Sequence, residues 1–350
     1  MPETPPAAGG GVLGGMRVLD LSQQLPGPYA TFLLAAMGAQ VTKVEPLTGD
    51  PGRHFDPQMF ERVNAGKASV FLDLKSDTDR QRLYELVDAS DVFVEGFRPG
   101  VTTRLGCDEA TLRVRRPTLV YCSLSGMGQT GPLARNPTHD LSLQAMVGTL
   151  RDAPPSDRIG VPWVDLATGT TAALAIVAAW QARRPAYLDV AMLDAARSWS
   201  AVKPAAVHEP EATYGVLDAH DGRVAIALLE DAMWRRLCVA LDWADWADDP
   251  ALRTYLQRRG HAELIRRRLE SAVGARSVRE LLTLAHDHDL PLEAVDPALD
   301  PQAAEQLTAR GREQHDAARY SNLPLELIVP LSAAPSLPGE PGLTSEPGRS

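Results

Sequence analysis

The chain has 350 residues, 44% of them hydrophobic and 23% charged, with a formal net charge of −10 and a pI near 5.3. That length suits two domains, and an acidic balance without a clustered basic face excludes a nucleic-acid binder, though not an anionic ligand held in a local basic pocket. Three cysteines, Cys107, Cys122 and Cys238, stand without any CxxC pairing, which predicts a reduced, cytoplasmic protein. The start of the chain carries no basic, apolar signal pattern. Apolar stretches such as Leu141–Leu150 are too short to span a bilayer, so no membrane partner is expected.

Residues 1–15, rich in Pro, Ala and Gly, and residues 332–350, rich in Pro, Gly, Ser and Glu, are expected to be disordered. Between them MRVLDL (16–21) reads as a strand. Tyr29–Met37 reads as a helix ended by Gly38, and QVTKVE (40–45) and SVFLDL (69–74) as strands. Asp77–Ala89 reads as a helix capped by Asp77, followed by strands DVFVEGF (91–97) and TLVYCSLS (118–125). Strands alternating with helices predict a mostly parallel, doubly wound sheet. Leu166–Arg183 is an Ala-rich helix, apolar nearly all round and therefore buried. Ala186–Leu193 reads as a further strand. The large α/β domain is thus expected over 16–202, with a linker at 203–211 containing Pro204, His208 and Pro210. A smaller α+β domain follows over 212–300, with strands at Gly215–Leu217 and Arg223–Leu228 and helices at Met233–Leu241, Ala262–Ala275 and Val278–His286. Residues 301–331 are expected to return and pack on the large domain.

The turn after the first strand, LSQQLPGPYA, has neither GxGxxG nor GxxxxGKS/T, so nucleotide binding by those loops is excluded. His286 and His288 in HDHD lack metal-ligand spacing and read as a solvated turn; no metal is predicted. No GxSxG occurs, and the glycines of SLSGMGQTG suit either a plain turn or one that admits a ligand. Two segments remain. His139-Asp140 precedes an apolar helical run. His139 either caps that helix or is a base whose neutral form the helix N-terminus favours. Asp165, after GVPWV and before the buried helix, is either an N-cap or a carboxyl whose desolvation fits it to carry a proton.

Seven ordered segments resemble one family. They are LSQQLPGPYATFLLAAMGAQVTKVE (21–45), GDPGR (49–53), NAGKASVFLDLKS (64–76), EGFRPGVTTRLG (95–106), LVYCSLSGMGQTGP (119–132), HDLSLQAMVG (139–148) and YLDVAMLDA (187–195). The family is that of α-methylacyl-CoA racemase and the family III CoA-transferases (CaiB/BaiF). The resemblance implies a large Rossmann-like doubly wound domain, a smaller α+β domain and an interlocked homodimer. It also implies an acyl-CoA substrate and no metal or redox cofactor. It places His139 and Asp165 as opposed acid/bases and Glu230, in VAIALLED, as the support of His139. It places Leu72, Asp73, Leu74 and Lys75, Arg98, and Thr138 with Asp140, Leu141, Ser142 and Leu143 at the CoA moiety, where Lys and Arg suit phosphate oxygens. The sequence departs from the family at Pro46, where a basic residue is usual, at Thr138 and Ser142-Leu143, and in the shortened turn Arg183-Arg184-Pro185. Because His139, Asp165 and Glu230 stand together, the first expectation is a racemase or epimerase of 2-methylacyl-CoA thioesters. It would work through an enolate stabilised by the first N–H groups of the Leu166 helix, with Ala167 and Gly169 near. The alternative is CoA transfer between carboxylates with Asp165 as nucleophile, through a mixed anhydride and an aspartyl-CoA thioester. A third reading is a non-catalytic CoA-ester-binding protein.

Overall fold

The structure, a computed structural model, describes residues 11–150, 160–202, 211–296 and 298–309. The chain divides into two units, the first extending to Val202 and the second covering Lys203–Glu313.

In the first unit the elements run β1 (Arg17–Asp20), α1 (Pro26–Ala36), β2 (Gln40–Glu45), α2 (Gly52–Phe55), α3 (Pro57–Asn64), β3 (Ala68–Phe71), α4 (Asp77–Asp88) and β4 (Val92–Glu95). Then come α5 (Val101–Leu105), α6 (Glu109–Arg115), β5 (Val120–Ser125), α7 (Asp140–Met146), α8 (Trp163–Gln181), β6 (Ala186–Ala191) and α9 (Met192–Val202). Among the described residues the strands form one six-stranded, wholly parallel sheet in the order β3-β2-β1-β4-β5-β6. Each strand supplies both faces by simple alternation. Val18, Val92, Val94, Val120 and Cys122 meet α1 and α8 on one side. Leu19, Phe93 and Tyr121 meet Leu83 and Val87 of α4 and Leu112 of α6 on the other. Burial on both faces is why these strands read as near-continuous apolar runs. The order reverses between β1 and β4, which opens a crevice at their carboxyl ends, the place where doubly wound sheets bind ligands.

The second unit pairs β7 (Tyr214–Asp218), β8 (Arg223–Ala227) and β9 (Leu292–Ala294) in an antiparallel sheet. Its helices are α10 (Asp231–Ala240), α11 (Ala244–Ala247), α12 (Tyr255–Arg259), α13 (Ala262–Gly274), α14 (Val278–Asp287) and α15 (Pro301–Ala309). Leu217, Val224 and Ile226 of the sheet meet Trp234, Leu237, Ile265, Leu269 and Leu281 of the helices. The α14 helix opens with a capping box from Ser277 and Glu280.

Several expected boundaries move. Residues 11–15 form a turn rather than a disordered end, because Leu13 is buried among Met16, Leu34 and Val41 and donates its N–H to the Met37 carbonyl at 2.9 Å. The strand expected to run on to Leu193 stops at Ala191, where α9 begins. Ser76, not Asp77, is the N-cap residue of α4. Residues 301–309, expected to return to the large domain, form α15 in the second unit. Residues 1–10 of the expected N-terminal tail, the linker up to residue 210, the return segment beyond residue 309 and the 332–350 tail lie outside the described residues.

The α8 helix is long and apolar enough by composition to cross a membrane. In the fold it packs on α1, α9 and the sheet. Its crossing with α1 is set by Gly169, where a Cβ would lie 2.6 Å from the Pro26 carbonyl oxygen and 2.8 Å from Tyr29 Cδ1. Gly169→Ala should therefore force the two helices apart and lower stability by about 1–3 kcal/mol despite alanine's better helix propensity. Urea unfolding followed by far-UV circular dichroism measures it, and an unchanged midpoint would refute the packing argument.

Candidate active site

The floor of the crevice is a buried ionic network. Asp20, the last residue of β1, accepts through Oδ1 from the Ser22 N–H at 2.9 Å and from the Ser22 hydroxyl. Its Oδ2 accepts from Thr31 Oγ1 at 2.5 Å and from Lys67 Nζ at 3.1 Å. Burial alone would raise its pKa, but Lys67 and Lys43 hold it down, to about 2. Lys43 Nζ donates to the Ser22 carbonyl at 2.8 Å and pairs with Asp50 Oδ2 at 2.9 Å. Asp50 Oδ1 in turn accepts from the Gln24 N–H at 3.2 Å and the Gly52 N–H at 2.8 Å. This grip holds Gln24 at φ 63°, a left-handed conformation that costs a non-glycine residue about 1–2 kcal/mol. The Ser22–Gln24 backbone is thus bent over the strand ends by charges beneath it.

At the end of β4, buried Glu95 accepts from the Phe97 N–H at 2.7 Å and from the Ser123 hydroxyl, and Ser123 Oγ accepts from Gln129 Nε2 at 2.7 Å. Burial pushes Glu95 up to about 7 against these hydrogen bonds.

The third part joins α7 to α8. His139 is the N-cap residue of α7, and its N–H donates to Ser142 Oγ at 3.1 Å. The next residue, Asp140, is buried, and its carboxylate reaches across to the start of α8. There Oδ2 accepts from the N–H groups of Val164 at 2.7 Å and Asp165 at 3.1 Å, while Oδ1 accepts from Gln144 Nε2. A carboxylate capping a helix from outside satisfies donors that the helix cannot. The same anion sits beside Asp165. Desolvation and then the Asp140 charge raise the Asp165 carboxyl to about 7. Asp165 stands in the first turn of α8, whose N-cap residue is Pro162, so it is not the N-cap.

Two neighbouring cavities flank this framework. One, of about 310 Å³, is polar and is lined by Gln24, Arg98, Ser125, Asn136, Thr138, His139 and Asp165. The other, of about 330 Å³, is mainly apolar and is lined by Leu72, Asp73, Leu74, Lys75 and Pro46. Gln23 and Phe97 line both. The sequence-predicted residues thus fall into two groups, Leu72–Lys75 in the apolar cavity and Arg98, Thr138, His139 and Asp165 in the polar one. Asp140 and Leu143, expected at the CoA moiety, face inward instead: Asp140 caps α8, and Leu143 is fully buried against Val164, Met192 and Ala196. Leu141 and Ser142 are exposed and line neither cavity. Glu230 is exposed in the second unit as the N-cap residue of α10. The expected oxyanion donors are also taken. The Trp163 and Leu166 N–H groups bond the carbonyls of Val161 and Pro162, and those of Val164 and Asp165 bond Asp140. Among the described residues no three His, Cys, Asp or Glu side chains gather as a metal site.

Sequence reading missed Gln23, Gln24, Phe97, Ser125 and Asn136. The first two sit in the turn set aside for lacking a glycine fingerprint, and only the strand order places that turn at the crevice.

The doubly wound sheet thus carries two chambers at its switch point, one apolar and one holding a desolvated carboxyl. The sequence profile of CoA-transferase family III matches residues 13–327, and the chain belongs to that family. It is 34% identical over 336 residues to the acetyl-CoA:oxalate CoA-transferase of Acetobacter aceti, covering 88% of this chain and 86% of that one. It is 37% identical over 276 residues to the succinyl-CoA:mesaconate CoA-transferase of Haloarcula hispanica, covering 68% and 69%. The crystal structure of a CAIB/BAIF family protein from Brucella suis superposes with a TM-score of 0.73 at 28% identity, covering 86% and 88%. The Acetobacter aceti and Haloarcula hispanica relatives are named transferases rather than racemases, which favours the second reading of the sequence over the first.

Asp165 is protonated in the folded state at pH values where the unfolded chain, near its ordinary 3.8, has released the proton. Its stabilising contribution is complete below about pH 4 and lost as pH rises through about 7. Asp165→Asn should therefore raise stability by about 4 kcal/mol at about pH 8 and leave it nearly unchanged at about pH 4. Thermal unfolding at the two pH values measures the difference, and equal gains at both would refute the assignment.

Proposed function

We propose that this chain transfers coenzyme A between carboxylates through covalent intermediates on Asp165. The observation that carries the reading is a carboxyl in a polar cavity, desolvated, beside a second anion and with no hydrogen-bonding or ionic partner for its oxygens among the described residues. A carboxylate left so poorly solvated is a stronger nucleophile than one in water. The Asp165 carboxylate attacks the donor's thioester carbonyl and expels the CoA thiolate, which leaves a mixed anhydride. The thiolate then attacks the Asp165 carbonyl carbon, releasing the donor carboxylate and forming the aspartyl-CoA thioester. The acceptor carboxylate reverses both steps and restores Asp165, with no net proton, oxidant or reductant. The Ser125 hydroxyl, buried without a partner among the described residues at the end of β5, is the donor proposed for the thioester oxygen. The apolar cavity with Lys75 would take the nucleotide end of CoA, with the pantetheine arm passing Gln23 and Phe97 into the polar one.

Incubation with acyl-CoA and hydroxylamine should leave a hydroxamate on Asp165, found by peptide mass spectrometry. Asp165→Ala should lower turnover at least ~1000-fold while the CoA ester still binds. A wild-type chain that turns over without any trapped adduct would sink the covalent route.

A second reading is supported by His139 sharing the cavity with Asp165. Two proton carriers on one cavity suit exchange of the α-proton of a 2-methylacyl-CoA through an enolate. Deuterium uptake at Cα in D₂O, lost in both His139→Ala and Asp165→Ala, would establish it, and no uptake leaves transfer alone.

We also propose that the chain self-associates, since α8 and α9 leave Leu174 71%, Trp199 49% and Val202 87% exposed. The three free, buried cysteines support a reducing, cytoplasmic setting.

A further inference from the structure

Two stretches of chain line the polar cavity side by side, Ser125 and Gly126 at the end of β5 and Thr138 and His139 before α7. They meet through one methyl group. A Cβ built on Gly126 would lie 2.1 Å from Thr138 Cγ2, so the Thr138 methyl already fills the space that a side chain at 126 would take. The next nearest atom to that point is Thr138 Cβ, at 3.5 Å, an ordinary van der Waals distance. Gly126 is not among the glycines with positive φ, so its backbone does not require glycine and the Thr138 methyl does. Neither partner is free to move away. Thr138 Oγ1 lies 2.7 Å from Ser142 Oγ and 3.4 Å from the His139 carbonyl oxygen, which turns the hydroxyl toward α7. Fixing one branch of a β-branched side chain fixes the other, and the methyl is left facing β5. Gly126 is held from behind, where its carbonyl accepts from the Leu193 N–H at 3.0 Å.

We infer that Thr138 is a specificity-determining residue whose methyl group closes the polar cavity between β5 and α7 and limits the size of the acyl group that reacts at Asp165. The inference rests on the transferase reading above, which sets the thioester carbonyl at Ser125 and Asp165. Ser125 adjoins Gly126, so the methyl stands in the same wall as the group that would hold that carbonyl. At about 310 Å³ the cavity is at the lower limit of ligand pockets, where one methyl group more or less changes what it admits. The methyl does this from a locked rotamer between two anchored segments, so a larger acyl group cannot push it aside cheaply.

The test follows inactivation of the full chain by hydroxylamine with acetyl-CoA or butyryl-CoA, which needs no acceptor acid. Hydroxylamine attacks the Asp165 carbonyl carbon of the covalent intermediate, expels the carboxylate or the CoA thiolate, and leaves an inert hydroxamate. The readout is the ratio of the second-order inactivation rates for the two thioesters, and the wild type should favour acetyl-CoA. Thr138→Ser keeps the hydroxyl and removes the methyl, and should shift the ratio toward butyryl-CoA by on the order of 10-fold. Thr138→Val keeps the methyl and removes the hydroxyl, and should stay near the wild-type ratio. Adding Gly126→Ala to Thr138→Ser returns a methyl group from the opposite wall, 3.5 Å from the Cβ at 138, and should restore the wild-type ratio. A wild type that takes both thioesters equally, a ratio unmoved in Thr138→Ser, or a double variant that restores nothing would each overturn the inference. If neither thioester inactivates the wild type, the transferase reading is what has failed, and calorimetric titration of acetyl-CoA and butyryl-CoA decides the role of Thr138. A preference for acetyl-CoA that relaxes in Thr138→Ser and returns in the double variant supports it; one preference common to all three proteins overturns it.

Discussion

The site depends on one carboxylate that does not react. Asp140 closes the start of α8 by accepting from the Val164 and Asp165 N–H groups, and it follows His139 directly in the chain. A single side chain therefore fixes the distance between the two halves of the polar cavity. It also removes the helix N-terminus as an anion site, since its donors are already occupied. The positive end of α8, which would otherwise favour an ionised Asp165, is met by Asp140 instead, and what remains for Asp165 is burial and repulsion. The reactive character proposed for Asp165 is thus a consequence of the fold's own capping chemistry.

The ionic network under β1 and β2 has the complementary task of holding backbone. The side chains of Lys43, Lys67, Asp20 and Asp50 are buried, and each acts on the loops through hydrogen bonds to Ser22, Gln24, Pro28 or Gly52. A buried pair of this kind adds little net stability over an apolar substitute, but losing one partner strands a charge at a cost of about 3–5 kcal/mol. The gain is geometric. Gln24 is kept left-handed at the mouth of the crevice, and Arg53, bonded to Glu45 at 2.7 and 2.8 Å, locks the turn after β2 in the same way. Charges in this core specify loop shape where glycines do so in nucleotide-binding sheets.

Much of the first unit was legible in the sequence because its strands are covered on both faces. Runs such as RVLD, VFVE and VYCSLS admit few other readings. The ordered motifs around Pro26, Leu72–Lys75, Arg98 and His139 gave the family, and the resemblance gave eight residues of the two cavities, Leu72–Lys75 in one and Arg98, Thr138, His139 and Asp165 in the other. Short helices such as α2, α3 and α5 were missed, because one or two turns carry too little period to read. Asp140 and Leu143 were misplaced for a related reason. In the segment that carries His139, neighbours in sequence were taken as neighbours at the ligand, whereas a helix turns successive side chains to different sides.

The sequence by itself determined the alternation of strands and helices, the parallel sheet and the residue types that chemistry requires, since these follow from local periodicity and from the identity of His139 and Asp165. Only the tertiary structure decided that Asp140 caps α8 rather than contacting a ligand, that the α8 N–H groups are occupied, and that Arg98 and Lys75 fall in different chambers. Those facts depend on which strand ends and helix starts meet across tens of residues. Asp20 is desolvated too, but lysines offset its burial; Asp165 has burial and the Asp140 charge with no cation beside it among the described residues, and that difference in partners depends on what surrounds each group in space.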